Sequence, residues 1–351
     1  MPKYNTDSVI FSCISGYNYY APSDAHAGGV IHIPSDTDVS LVDFIYADEL
    51  SIQMKWKHFI EWPADSRYFI WPIDLVKDTE GNCALVFRKK AYPNFHPFKE
   101  LLYNDTLLDW QMPAIQKLTK SLLEAMIALH RAGYAYHAFN FNQMYYNTET
   151  MDVVINFSTS MSRYYGHPDN NRMELPEICA DLEKRGVIWS EPNLPDETAI
   201  EFLPPWVNDD NKADMTLNDD YYSIAALLFR LFIGRMPYQG RLMVRNEMAD
   251  IMNEDRDLDE KEHQRMFSFY HENPVFIFDP NDQNNRIGVF AHELLFVKRW
   301  EALPDSVREL FYNAFVPPAN NRENWLTKHY EPRQLASPEA WLAVLTREKV
   351  I

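Results

Sequence analysis

Apolar residues in the first 95 positions come in short runs broken by Gly, Pro, Ser and Asp. Residues 9–14, 29–33 and 40–46 are runs of this kind and read as short strands. Between 47 and 60 the spacing of Leu50, Met54 and His58 suits a helix instead. Residues 68–76 and 83–88 then predict two strands joined by a polar turn over 77–82. From residue 110 the period becomes helical. Ile115, Leu118, Leu122, Met126 and Leu129 recur at intervals of three and four, which places them on one face. Gly133, just after His130 and Arg131, is a suitable stop for that helix. Residues 153–156 read as a short strand. Residues 219–234 predict a helix that is apolar nearly all round and therefore central to its layer. Further helices are predicted near 241–253, 258–270, 304–315 and 337–347. The stretch 162–215 is polar and punctuated by Pro, with one helical piece over 175–185, and reads as a long loop. Strands first and helices afterwards predict an α+β fold.

Composition narrows the class. Hydrophobic residues make up 46% of the 351 positions and charged residues 24%, a globular balance. Aromatic residues reach 14%, so substantial burial is expected. The formal charge of -18 repels phosphates and so disfavours nonspecific binding to nucleic acid or anionic membrane. Three cysteines, Cys13, Cys83 and Cys179, with no C-x-x-C spacing, fit a reducing compartment rather than a disulfide framework or a zinc site. The chain opens with no basic-then-apolar leader, and no apolar stretch reaches the roughly 18–20 residues that span a bilayer. A cytoplasmic protein with no membrane insertion is expected. His130 and His137 lie seven residues apart on a helix end and a loop, which is not metal-ligand spacing. Acidic pairs such as Asp209 with Asp210 carry no specific acid–base signal.

The most informative stretch is 127–158. A helix ending Leu129-His130-x-x-Gly133 leads into Tyr136, His137, Ala138 and Phe139, then Gln143, and then a strand running into Asn156, Phe157 and Ser158. This order resembles the protein kinase pattern of a catalytic loop followed by a strand ending in D-F-G. Residues 70–81, 220–240, 274–280, 299–311 and 320–325 resemble further landmarks of a bacterial branch of kinase-like proteins. The resemblance implies a bilobal fold, with a small β-rich N-lobe over 1–92 and a larger helical C-lobe over 93–351, joined by a hinge at 90–97. It also implies that Asp220 caps the central helix and reaches the backbone at Tyr136 and His137. Residues 203–206 fill the end of the activation segment, where Trp206 would stack on Arg322 in place of an ion pair.

The same alignment removes the chemistry. Ala138 stands where the carboxylate that accepts the substrate proton belongs. Gln143 and Asn156 stand where Asn and Asp hold Mg²⁺, which demands compact, near-octahedral oxygen donors. Phe44 falls where the phosphate-binding lysine belongs, and no glycine-rich phosphate loop exists, Gly16, Gly28 and Gly29 reading as turn residues. The expected function is that of a pseudokinase, a regulatory or interaction scaffold, with Phe44, Phe139 and Phe157 filling the cleft. The acidic surface and the 162–215 segment are the expected partner-facing elements. By resemblance the partners are proteins of bacterial multi-protein systems, such as von Willebrand-type domain proteins or phosphatases. No cofactor is expected, and ATP binding is left open. Two alternatives remain: a divergent phosphoryl or nucleotidyl transferase using Asn156, Gln143, His137 and Asp152, and a nucleotide-sensing binder relying on Lys55 or Lys57.

Overall fold

The structure is a computed structural model. It describes residues 10–13, 18–20, 42–43, 56, 58–77, 83–87, 94–103, 112–158, 160–163, 198–207, 216–243, 266–317 and 334–351. The predicted strand over 29–33, the helical piece over 175–185, Phe44, Lys55, Lys57 and Arg322 lie outside the described residues, as do most of the helices predicted near 241–253 and 258–270.

The fold is α+β. Strands β1 (Ile10–Cys13), β2 (Asn18–Tyr20), β3 (Val42–Asp43), β5 (Pro72–Lys77) and β6 (Cys83–Phe87) form an antiparallel sheet in the order β2-β1-β5-β6-β3. A second sheet of four strands has the order β4-β10-β9-β7, from β4 (Phe69–Ile70), β10 (Val153–Asn156), β9 (Met144–Asn147) and β7 (Phe95–Pro97). It is mixed, because β4 runs parallel to β10 while the other pairs are antiparallel. A small ribbon joins β8 (Tyr134–Ala135) to β11 (Ser162–Arg163).

The apolar run over 68–76 corrects the sequence reading. It is two strands in two sheets, not one strand, and the break is at Trp71. Pro72 follows and has no amide hydrogen to continue a ladder. The buried Trp71 indole turns inward, where its Nε1 donates to the Phe59 carbonyl at 2.7 Å. Part of the predicted hinge is also strand, since Phe95–Pro97 pairs with β9.

Helix α1 (Phe98–Tyr103) follows β7, and the long α2 (Met112–Arg131) carries the predicted apolar stripe, all of it buried. Gly133 ends α2 with φ 88°, a conformation that costs a side-chain-free residue least. Ser121 fastens α2 to the mixed sheet, its hydroxyl oxygen accepting the Val153 amide at 2.9 Å. Helix α3 (Leu217–Ile233) is buried along almost its whole length, as an all-apolar helix must be to be stable. Each Leu, Ile or Phe it removes from water contributes about 1.5–3 kcal/mol. Around it pack α2, α4 (Leu294–Glu301) and α5 (Asp305–Phe315), while α6 (Pro338–Arg347) closes over α2 and α5. A π-turn, Ser268–Glu272, precedes α4. No helix of the described residues is long and apolar enough to cross a membrane.

Candidate functional site

Residues 136–143 connect β8 to β9 without regular structure, so their backbone groups need partners from elsewhere. Asp220, in the first turn of α3, supplies them. Its Oδ2 accepts the Tyr136 amide at 2.6 Å and its Oδ1 accepts the His137 amide at 3.1 Å. His130 Nε2 lies 3.1 Å from Oδ2, and His137 Nδ1 lies 3.3 Å from Oδ1. Burial alone would push the Asp220 carboxyl up; His137 and His130 outweigh it and hold it well below the usual carboxylate range. His137 takes φ 48°, sparsely populated for a residue with a side chain, and the carboxylate holds it there.

The next residues bring Gln143 and Asn156 together. Asn140 Oδ1 accepts the amides of Asn142 at 2.9 Å and Gln143 at 3.1 Å, turning the chain into β9. The Gln143 carbonyl then accepts the Asn156 amide at 2.8 Å, and the Tyr136 hydroxyl donates to the Asn156 carbonyl at 3.1 Å. Gln143 and Asn156 are thus neighbours at one end of the β9–β10 pair. Ala138 has no exposed surface. Two neutral amides and a buried methyl do not fit Mg²⁺, which needs compact anionic oxygens to replace its hydration shell.

Aromatic side chains fill the space beside Asn156. The Phe157 ring centroid lies 5.1 Å from Phe59, 5.3 Å from Trp71 and 6.0 Å from Phe87. Tyr134 joins the cluster against Phe59 and Trp71 at 5.2 and 5.3 Å. Its hydroxyl donates to the Trp62 carbonyl at 2.6 Å and lies 3.1 Å from His58 Nε2, tying the helical turn at 58–61 to β8. Phe139 packs elsewhere, 5.2 Å from Tyr136 and 6.5 Å from Phe202.

Residues 198–207 lie over this loop. The Ala199 amide donates to the Phe139 carbonyl at 2.8 Å, Phe202 meets Phe141 at 4.8 Å, and the Ser223 hydroxyl donates to the Phe202 carbonyl at 2.8 Å. Trp206 donates its Nε1 to Asp219 Oδ1 at 2.7 Å and packs on Tyr222 at 5.4 Å.

That carboxylate corrects the role expected of Asp220. Asp219, not Asp220, closes the first turn of α3: its Oδ2 accepts the Thr216 amide at 2.5 Å and the Thr216 hydroxyl at 3.0 Å. Burial raises the Asp219 carboxyl above the usual range, against the pull of the Thr216 amide and the Trp206 indole. The spacing Thr216-x-x-Asp219 is a capping-box pattern readable from sequence. The Trp206 bond and the partnership of His130 with Asp220 had no such signal.

Asp152 stands apart from the other candidates. It sits at the start of β10 in the exposed hairpin turn, accepting the Thr150 hydroxyl at 2.6 Å. Asn156 is at the far end of that strand, about 13 Å away at 3.3 Å per residue. No protein-family model matches the chain, and no curated protein matches it either.

Proposed function

We propose that the chain adopts a bilobal protein kinase-like fold and acts as a pseudokinase, a protein-interaction or regulatory scaffold without phosphoryl transfer. The observation that carries this reading is the state of the 136–143 loop. Its architectural anchor, Asp220, is present and fully engaged, while the three positions that would do chemistry hold Ala138, Gln143 and Asn156. A loop held in place without its carboxylates keeps a shape and loses a reaction. Loss of such groups typically removes several kcal/mol of transition-state stabilisation, about tenfold in rate for each 1.4 kcal/mol. The transferase alternative loses Asp152, which is remote, and finds His137 facing Asp220. The acidic surface favours protein partners over nucleic acid.

The test is a thermal-shift titration of the purified chain with ATP, with and without Mg²⁺ or Mn²⁺, alongside transfer of labelled γ-phosphate. The expected outcome is no transfer above an unrelated protein control and no metal-dependent shift. A ligand at a hundred times its Kd would add about 2.7 kcal/mol, a shift of degrees. A metal-dependent shift accompanied by transfer would overturn the reading.

A further inference from the structure

Asp219 and Asp220 are adjacent carboxylates at the start of α3, 4% and 0% exposed, and each holds a different segment. Asp220 accepts the Tyr136 and His137 amides of the 136–143 loop. Asp219 accepts the Trp206 indole of the 198–207 segment. A buried charge needs an opposite charge as well as hydrogen bonds. For Asp220 that charge comes from His137 and His130, and the same His137 also opposes the effect of burial on Asp219. One imidazole, itself only 6% exposed, thus serves both carboxylates. Its Nδ1 lies 3.3 Å from Asp220 Oδ1. The other titratable groups around it are accounted for element by element. On α2, His130 reaches the second Asp220 oxygen, Oδ2, at 3.1 Å, and the Tyr221 ring of α3 lies 5.7 Å from His130. Arg131 is exposed and pairs with Glu339 of α6 at 3.6 Å. The Tyr136 hydroxyl is directed to the Asn156 carbonyl. On the 198–207 segment, burial raises the Glu201 carboxyl and Arg230 is the charge that opposes it.

We propose that His137 is a proton-operated latch, whose charged ring holds the 136–143 loop and the 198–207 segment together on α3 and whose neutral ring releases both. Three observations select this reading over a fixed ion pair. The counter-charge is an imidazole, the side chain whose charge changes between about pH 5 and pH 8, and not a Lys or Arg that would stay charged. The ring sits on a backbone at φ 48°, strained for a residue with a side chain, so the closed arrangement persists only while attraction outweighs strain. The two segments are also bonded to each other, since the Ala199 amide donates to the Phe139 carbonyl at 2.8 Å, and movement of one carries to the other. The sign follows from linkage. An imidazolium beside carboxylates contributes its hold below the free imidazole value, about 6.5, and loses it as rising pH removes the proton. The latch is therefore closed on the acid side of neutrality and opens toward alkaline pH. It concerns the order of the loop and holds whether or not the cleft turns over nucleotide.

The test is amide hydrogen exchange on the full chain, read by mass spectrometry from about pH 5.5 to about pH 8.5, with each rate corrected for the chemical pH dependence of exchange. Peptides covering 136–143 and 198–207 should lose protection together, by about tenfold and through one midpoint, while α5 keeps its protection. The variant His137→Gln, neutral at every pH, should exchange fast in both segments throughout. His137→Asn, which tolerates a left-handed backbone better, replaces it if the Gln variant loses its thermal transition. His130→Gln should keep the step in 198–207, because Asp219 draws on His137. Protection that does not change over the range, a change in one segment without the other, or a His137 variant that keeps the wild-type step would overturn the inference. So would a step in 198–207 that disappears in His130→Gln, because the proton would then act at His130. None of these outcomes bears on nucleotide binding or transfer, which the thermal-shift and labelling experiments report separately.

Discussion

Asp220 orders a loop with one carboxylate. Both of its oxygens are occupied by loop amides and by the two flanking histidines. Asp220→Ala leaves those groups buried without an acceptor and should cost about 3–5 kcal/mol in urea denaturation. The pH dependence has a definite sign. A carboxyl held below its unfolded value contributes stability above that value and loses it as pH falls through the folded one. The stability gap between wild type and Asp220→Asn should therefore narrow from about pH 5 to about pH 2. A gap that stays constant over that range would contradict the placement. Asp219 has the opposite sign, since its raised carboxyl opposes folding when ionised and relents as pH falls. Asn285 does comparable work far from the loop. Its side-chain amide donates to the carbonyls of Tyr238 at 2.8 Å and Val275 at 2.7 Å, and its Oδ1 accepts the Leu242 amide at 2.9 Å. Asn285→Ala should cost about 2–4 kcal/mol, measured as a lowered denaturation midpoint with an unchanged slope. Gly240 lies so close that a Cβ there would sit 1.9 Å from the Asn285 carbonyl oxygen.

Among the elements, the parallel pairing of β4 with β10 decides the geometry of the site. It brings Trp71 and the turn at 58–61 against Phe157, so residues distant in sequence share one aromatic cluster. Phe157→Ala would leave a cavity at the centre of that cluster and should cost about 3–5 kcal/mol. Trp71→Phe keeps most of the packing and strands the Phe59 carbonyl, for about 1–3 kcal/mol. Equal losses for the two variants would mean that the indole bond, and not the packing, holds the cluster. The stripe on α2 and the all-apolar face of α3 were legible because a helix buries what its own period repeats. The split at Trp71 was not, since an unbroken apolar run carries no mark of which sheet each half will join. Nor did local sequence mark β7, whose strand state depends on pairing with β9, some fifty residues later.

At the scale of the molecule, Ala138, Gln143 and Asn156 bear together on the proposed absence of phosphoryl transfer. Restoring acidic chemistry with Ala138→Asp and Asn156→Asp should not restore phosphoryl transfer. Ala138 lies in a buried position, where an introduced carboxylate would lose its hydration. The double variant should melt at a lower temperature than wild type while remaining inactive in the labelled-phosphate assay. Recovered transfer would mean that the surrounding cleft is intact and only the two carboxylates were missing. The charge of -18 acts at the same scale, setting which partners approach before any contact forms.

The sequence by itself determined the α+β order of elements and the buried faces of α2 and α3, and it placed uncharged residues at Ala138, Gln143 and Asn156. These are local properties, carried by residue type and by spacing within one element. Only the tertiary structure decided that Asp219 closes α3 while Asp220 serves the loop, and that Trp206 bonds Asp219. It also set the Glu293 carboxylate against three successive backbone amides, those of Gly288, Val289 and Phe290. Each of these depends on which distant backbone groups are left without partners after folding. That quantity exists only once the elements have packed.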